Sequence, residues 1–137
     1  MAATSRYMLD TNILSGLIKN PHGPLANRVN RRITQIRTSV IVACELRYGA
    51  TKKGSERLRK KVEDLLAHLP VLPLEHGMDR QYGEIRTHLE RQGQPIGFND
   101  LLIAAQARHL GLILVTANVG EFERVPGLRV ENWIDTP

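Results

Sequence analysis

A chain of 137 residues, 42% of them hydrophobic and 24% charged, has the size and composition of one globular domain, which we assign to residues 1–137. The composition excludes a disordered chain, and no stretch approaches the ~18 apolar residues that a membrane span requires, so we expect no membrane association. The net charge of +5 favours an anionic partner, RNA or DNA above all. The single cysteine and the lack of an apolar signal segment predict a cytoplasmic protein.

Apolar periodicity predicts strands that alternate with helices along the chain. Pro70 ends the helix before the third strand, and Gly111 ends the helix before the fourth. Asn99 is the expected N-cap of that last helix. In chain order the predicted elements are a strand at 7–10, a helix through 25–33, a strand at 35–42, a helix at 42–50, a helix through 58–69, a strand at 71–74, a helix through 78–89, a helix at 100–111, a strand at 112–116 and an edge strand at 127–133.

This alternation predicts an α/β fold in which a parallel sheet carries helices on both faces. In such sheets the ligand crevice lies beyond the carboxyl ends of the strands, at the point where the strand order reverses. Asp10 ends the buried first strand, so we expect its carboxylate to face that crevice. An ordinary role as a helix N-cap or in an Asx-turn is the alternative for this residue.

Three further acids follow a strand or open a helix, and the fold would gather them beside Asp10. Glu45 lies in the helix after the second strand, Asp100 opens the last predicted helix, and Glu121 follows the fourth strand. Each alone has an ordinary explanation, as a solvated residue or as an acid in the first turn of a helix. Together they would repel one another unless a cation intervened, and ligands that are all oxygen favour Mg²⁺ or Mn²⁺. Such an ion in a basic protein is the usual apparatus for cutting phosphodiesters.

Polar residues beside these acids are candidates to orient the carboxylates or a water molecule, with ordinary turn roles as the alternative. They are Thr11, Asn12, Thr116 and Asn118. Basic residues would hold an RNA backbone, and Arg86 and the run KKGSERLRKK at 52–61 are candidates for that contact. The run has a simpler interpretation as the solvated face of a helix.

Four segments follow one another in a particular order: MLDTNIL at 8–14, ACELRYG at 43–49, GFNDLLIAAQA at 97–107 and LVTANVGEFERVPGLRVENW at 114–133. Together they resemble the PIN-domain ribonucleases, and specifically the VapC-type toxins of bacterial toxin–antitoxin pairs. The resemblance runs from about Arg6 to Trp133, which is nearly the whole chain. It rests on the order and spacing of all four segments, since LDTN alone would be a weak signal.

The resemblance implies a PIN-like three-layer α/β/α sandwich with a five-stranded parallel sheet. It also implies an endoribonuclease dependent on Mg²⁺ or Mn²⁺, in which Asp10 and Asp100 bind the metal and Glu45 is a further catalytic acid. Many members of the family place an aspartate where this chain has Asn118. Glu121 is the nearby acid here, so both residues are candidates for the fourth catalytic position. The products would carry 5′-phosphate and 3′-hydroxyl ends.

The same resemblance implies partners. The substrate would be RNA, with transfer RNA as a candidate, and a VapB-type antitoxin would neutralise the chain by blocking its acidic crevice. An arginine or lysine of that antitoxin is suited to pair with the carboxylates. A homodimer that pairs through helices is also implied.

Two other classes of protein share parts of the pattern. Receiver domains and haloacid-dehalogenase-like phosphatases also place an aspartate at the end of a parallel strand. The phosphatases need a second aspartate where this chain has Asn12, and receiver domains need a late lysine, whereas no lysine follows Lys61. The second alternative is a catalytically inactive PIN-fold module that binds nucleic acid. The presence of Asp10, Glu45 and Asp100 together argues against it.

Overall fold

A computed structural model describes residues 5–134, which form a sheet of parallel strands covered by helices. The five strands in this part of the chain are β1 (Tyr7–Leu9), β2 (Ile36–Ser39), β3 (Val71–Leu72), β4 (Ile113–Val115) and β5 (Val130–Glu131). Each lies inside a segment predicted to be a strand, and each is shorter than that segment. The predicted α/β fold with five parallel strands is therefore confirmed.

The order of strands across the sheet is β3-β2-β1-β4-β5, with β5 at an edge as predicted. β1 is central, because Leu9 lies beside Thr38 of β2 on one side and beside Val115 of β4 on the other. The strand order reverses at β1, since β2 and β3 extend the sheet to one side and β4 and β5 to the other. The crevice expected at such a reversal opens just beyond Leu9, where Asp10 follows.

Helices cover the sheet and complete the three-layer α/β/α arrangement. The seven α-helices within residues 5–134 are α1 (Thr11–Lys19), α2 (Pro24–Arg31), α3 (Val40–Lys53), α4 (Glu56–Ala67), α5 (Met78–Arg91), α6 (Phe98–Leu110) and α7 (Val119–Phe122). A short 3-10 helix, Ile33–Gln35, precedes β2. Helices α1 to α4 pack against one another, and α5 packs along α6.

The transition from β2 to α3 comes earlier than predicted, at Ser39. The Ser39 hydroxyl accepts a hydrogen bond from the backbone N–H of Ile41 at 3.0 Å, which caps the helix and so ends the strand. The predicted strand at 35–42 was too long, because apolar residues 40–42 suit a buried strand and a buried helix equally well.

Helix α6 begins at Phe98 with Gly97 as its N-cap, so the prediction of Asn99 as the N-cap was wrong. The extended backbone of Gly97 opens the helix without any side-chain cap, and Asp100 consequently falls within the first turn. Gly111 ends the helix as predicted, in the left-handed conformation at φ 68°. Helices α1 and α7 were not predicted, and α7 has only four residues, too few to show a helical period.

The core is built around β1, β4 and α6. Met8, Leu114 and Ile103 are fully buried, and α6 is apolar on nearly all sides because it packs between the sheet and α5. Trp133 packs edge to face on Tyr7 with ring centroids 5.0 Å apart, which ties the end of the described chain to β1. No helix within residues 5–134 combines the length and the apolar character that crossing a bilayer would take.

Candidate active site

Asp10 follows β1 directly and is the N-cap of α1, with only 3% of the residue exposed. Its Oδ1 accepts a hydrogen bond from the backbone N–H of Thr11 at 2.8 Å. Its Oδ2 accepts one from the hydroxyl of Thr116 at 2.8 Å. The N-cap interpretation of Asp10 is therefore confirmed, and the same carboxylate also lines a cavity at the carboxyl end of the sheet.

Burial is the main influence on the Asp10 carboxyl and raises its pKa, because a charge in a poorly solvated position is costly. Hydrogen bonds from Thr116 and Thr11 lower the pKa, and the nearby charges of Glu45 and Glu121 raise it again. The hydrogen bonds to the Asp10 carboxylate therefore offset only part of the cost of burying its charge beside other acids.

A network of hydrogen bonds, which we call the threonine network, ties β1 and α1 to the loop after β4. The Thr116 hydroxyl donates to Asp10 and accepts from the backbone N–H of Asn118 at 3.0 Å. The Asn12 side chain bridges the same elements, since its Nδ2 donates to Thr116 Oγ1 at 3.3 Å and its Oδ1 accepts from the Ala117 N–H at 2.9 Å. Thr116 is fully buried, so this part of the site is fixed by the core.

Asp100, in the first turn of α6, and Glu121, in α7, form the other side of the site. Burial raises the pKa of Asp100 to about 7, with further contributions from the charges of Glu121 and Asp10 and from a hydrogen bond with Glu121. Glu121 Oε2 also accepts a hydrogen bond from the side-chain amide of Asn118. The amide at position 118 therefore orients the carboxylate at position 121.

Glu45 reaches the site from α3, on the flank of the buried residues Val42 and Leu46. Its Oε1 accepts a hydrogen bond from the Thr11 hydroxyl at 2.6 Å. Thr11 consequently contacts two of the acids, Asp10 through its backbone N–H and Glu45 through its side chain.

These side chains surround a cavity of about 500 Å³. Its lining consists of Asp10, Thr11, Asn12, Ser15, Gly16, Lys19, Glu45, Asp100 and Asn118. Ser15, Gly16 and Lys19 were missed in the sequence. Thr11, Ser15 and Lys19 are spaced four residues apart, which places them on one face of a helix. This spacing could have indicated that they line the site together, but α1 was not predicted as a helix.

The donors around the cavity fit a hard divalent cation. Asp10, Glu45 and Asp100 all line this one small cavity. Repulsion from the neighbouring carboxylates contributes to the raised pKa of Asp100, and a bound cation would relieve that repulsion. Within residues 5–134, no group of three or more His, Cys, Asp or Glu side chains is arranged to hold an ion as it stands. Glu45 is hydrogen-bonded to Thr11 and Glu121 to Asn118, so these glutamates would have to turn toward an ion.

The candidate basic residues lie outside the cavity lining. The run at 52–61 does not form one helical face, because Gly54 ends α3 in the left-handed conformation at φ 65° and α4 begins at Glu56. The charged residues of the run are solvated as the simpler interpretation predicted, but they belong to two helices and not to one helical face. Arg86 lies on α5, where its guanidinium stands 5.0 Å from the centroid of the Phe98 ring.

Known proteins match the chain over almost its full length. The model of the PIN domain family matches residues 7–128. Ribonuclease VapC2 of Haemophilus influenzae is 43% identical over 130 residues, which cover 94% of this chain and 98% of the relative. The tRNA(fMet)-specific endonuclease VapC of Shigella flexneri is 41% identical over 129 residues, which cover 93% and 98%. The solved structure of DNA-bound VapBC from Salmonella typhimurium superposes with a TM-score of 0.89 at 39% identity, covering 95% of this chain and 99% of that one.

The five-stranded parallel sheet agrees with the PIN-like fold of these relatives. The chain belongs to the PIN domain family and, by its full-length matches, to the VapC ribonucleases within it. The resemblance read from the four sequence segments is thereby confirmed.

Proposed function

We propose that this protein is the ribonuclease toxin of a toxin–antitoxin pair and that it cuts RNA with the help of Mg²⁺ or Mn²⁺. The observation that carries the proposal is the cavity in which Asp10, Asp100 and Glu45 converge while Glu121 adds its charge. The ribonuclease names of the relatives support the same activity. We assign the activity to the cytoplasm, where RNA substrates are found.

The roles follow from the contacts of each acid. Asp10 and Asp100 would hold the ion, because they are the acids whose pKa burial raises and whose charge most needs a counter-charge. A bound divalent ion would supply activation of a water molecule and neutralisation of charge on the scissile phosphate. Glu45, held by Thr11 at the cavity wall, would orient the attacking water by accepting a hydrogen bond from it. Glu121, oriented by Asn118, is the candidate for the fourth catalytic position.

The test of this activity is the sequencing of RNA ends from cells that express the wild-type chain or its Asp10→Asn variant. We expect new 5′-phosphate ends at defined positions in the wild-type sample alone. Transfer RNA is the first substrate to inspect, because a relative is a tRNA(fMet)-specific endonuclease. Identical end profiles in the two samples would contradict the proposed activity.

Calorimetric titration with Mn²⁺ separates this proposal from the inactive PIN-fold module. We expect the wild-type chain to bind Mn²⁺ and the Asp100→Asn variant to bind it more weakly. The exposed Asp64 supplies a matched control, since Asp64→Asn removes one carboxylate that is not part of the cavity lining. A wild-type chain that binds no Mn²⁺ would favour the inactive module.

A VapB-type antitoxin is the proposed partner. The solved relative from Salmonella typhimurium is a VapBC assembly, which supports a partner chain of this kind. An arginine or lysine of the antitoxin would enter the cavity and pair with the carboxylates of Asp10 and Asp100. Apolar residues of the same segment would dock in a groove of about 330 Å³ between α1, α2 and α4, where Ile33 is 43% exposed.

Co-purification with the product of the adjacent open reading frame tests the partner, followed by a cleavage assay of the complex. We expect the complex to form and to cut RNA far more slowly than the free chain. A complex that cuts RNA at the rate of the free chain would exclude inhibition by an antitoxin arginine or lysine in the cavity. Light scattering of the free chain would test the homodimer, which we retain as a proposal from family resemblance.

A further inference from the structure

A second depression, which we call the lysine groove, continues from the candidate active site between α1, α3 and α4. It has a volume of about 390 Å³. The groove and the acidic cavity share Thr11, Ser15, Lys19 and Glu45 in their linings, so they are two ends of one surface channel. Neither the proposed catalytic roles nor the proposed antitoxin groove accounts for this depression.

Three lysines from three different helices border the lysine groove. Lys19 is the last residue of α1, Lys53 is the last residue of α3, and Lys61 lies within α4. None of the three forms a hydrogen bond or an ion pair with another residue in the described range 5–134. Basic residues at helix ends offset the helix dipole, but that effect does not explain why lysines from three helices line one groove.

Neighbouring basic residues of the 52–61 run differ from these lysines in placement. Lys52, Arg57 and Lys60 are exposed and lie outside the groove lining. Lys52 stacks over the ring of Tyr48 at 5.8 Å from its centroid. Arg59 pairs with Glu56 at 2.9 Å. The structure thus divides a continuous basic run into residues that face the channel and residues that do not.

The floor of the lysine groove is apolar, formed by Leu46, Ala50, Leu58 and Val62. The groove thus combines an apolar floor with lysines along its border that form no ion pair within the described part of the chain. These features suit a polyanion that carries its charge along one edge and has a flat, weakly polar face. A strand of RNA has this character, with phosphates on the backbone and bases that tolerate apolar contact. Glu45 and Lys19 lie in both linings, at the junction between the groove and the acidic cavity.

We propose that the lysine groove is the track for the RNA backbone on one side of the cleaved bond, with Lys19, Lys53 and Lys61 each contacting a phosphate. The proposal rests on the proposed ribonuclease function and names the surface that delivers the strand to the cavity. Contacts of this kind give affinity that depends steeply on salt and little on base sequence. Lys19 belongs to both linings and therefore contacts the phosphate nearest the reaction.

The experiment compares two triple variants that remove the same charge. The groove variant, Lys19/Lys53/Lys61→Ala, removes the three lysines that border the groove. The control variant, Lys52/Arg57/Lys60→Ala, removes three exposed cations that lie outside the groove lining. Both are made in the Asp10→Asn background, so that RNA is not cut during the titration. Binding of a short, unstructured, fluorescent RNA is followed by anisotropy at several KCl concentrations.

We expect the groove variant to lose at least about tenfold in affinity at low salt, and its slope of log K against log salt to fall by about 2, since each single-strand phosphate contact contributes about 0.7. The control variant should keep most of both. Equal losses in the two variants, or an unchanged slope in the groove variant, would overturn the proposal. If the groove variant does not fold, Lys61→Ala alone should lower the slope by about 0.7.

The outcome separates this inference from the function on which it rests. If the wild-type chain cuts RNA while the groove variant binds RNA as tightly as the control, the track is wrong and the ribonuclease stands. A groove variant that keeps RNA affinity and loses antitoxin binding would assign the groove to the partner protein. If the background protein shows no salt-dependent RNA binding and the wild-type chain cuts no RNA, both proposals fail.

Discussion

The two sides of the candidate site are held in different ways. On the sheet side, Asp10 is buried and joined to Thr116 and Asn12 by the threonine network, which spans β1, α1 and the loop after β4. On the helix side, Glu45 is fixed by one hydrogen bond to Thr11, and Asp100 stands in a partly exposed first turn. The sheet side is a fixed anchor, whereas the helix side is free to adjust around a ligand.

This difference assigns separate tasks to the two sides. A buried carboxylate with several donors keeps its position whether or not a ligand is present. Carboxylates with few contacts turn at little cost, which suits a site where ion and substrate arrive together. Loss of a hydrogen bond on the sheet side should therefore reduce stability and activity together, whereas loss of one on the helix side should reduce activity with little loss of stability.

The largest effect is expected when either metal-binding candidate loses its charge. Asp10→Asn and Asp100→Asn should both reduce cleavage to background in the presence of Mg²⁺, because each removes a carboxylate that the ion requires. Circular dichroism should show folded protein in both cases. The control is Asp64→Asn, which alters an exposed carboxylate on α4 and should keep wild-type rates. Wild-type cleavage by either site variant would mean that the cavity is not a metal site.

A pair of threonine substitutions tests the comparison directly. Thr116→Val removes the donor to Asp10 and the acceptor for the Asn118 N–H, and it should cost about 1–3 kcal/mol of unfolding free energy because these groups are buried. Activity should fall by about 10–100-fold. Thr11→Val frees Glu45 and should change the unfolding free energy by less than about 1 kcal/mol. Chemical denaturation measures the unfolding free energies of both variants. Equal losses of stability would contradict the distinction between the two sides of the site.

A smaller effect is expected at the fourth catalytic position. Glu121→Gln removes a charge that acts on Asp100, and it should weaken Mn²⁺ affinity and activity by about 10–100-fold. Asn118→Ala should weaken them less, because it only releases the orientation of Glu121. Metal titration and cleavage rates of both variants decide the order. A larger loss for Asn118→Ala would assign the role to the amide.

The smallest effect concerns pH in the presence of a chelator. The raised pKa of Asp100, about 7, lies above the value of about 3.9 for an unfolded aspartate, so the folded state binds the extra proton. Stability should fall as pH rises from about 4 to about 7, and Asp100→Asn should remove that loss. The variant should thus melt higher than the wild type at pH ~7.5, with a smaller difference at pH ~4.5. A melting temperature difference that is independent of pH would contradict this assignment.

The sheet and the position of Asp10 were predictable because they depend on signals within a few residues. An apolar run that stops at an acid indicates a strand end, and alternation with helices indicates parallel strands. The convergence of Glu45, Asp100 and Glu121 followed from topology, since carboxyl ends of parallel strands share one edge. Their assignment as catalytic residues remains a prediction.

Other features depended on contacts that no local pattern reveals. Helix α1 follows its N-cap Asp10 and begins with Thr11 and Asn12, residues that favour turns as much as helices. The sequence therefore did not lead us to predict a helix there. Gly97 caps α6 without a side chain, and the sequence therefore favoured Asn99. The division of the 52–61 run depends on Gly54, which ends α3 so that the chain can turn into α4.

The threonine network also bears on when the site can form during synthesis of the chain, because it joins residues that are far apart in the sequence. Asp10 emerges from the ribosome early, but its donor Thr116 lies 106 residues later in the chain. The β1–β4 pairing closes over the same separation, and contacts so distant in sequence form late. A nascent chain that has not reached Ile113 lacks β4, Thr116, Glu121 and β5, so the acids cannot assemble. We therefore expect the candidate site to assemble, and nuclease activity to appear, only when translation is nearly complete.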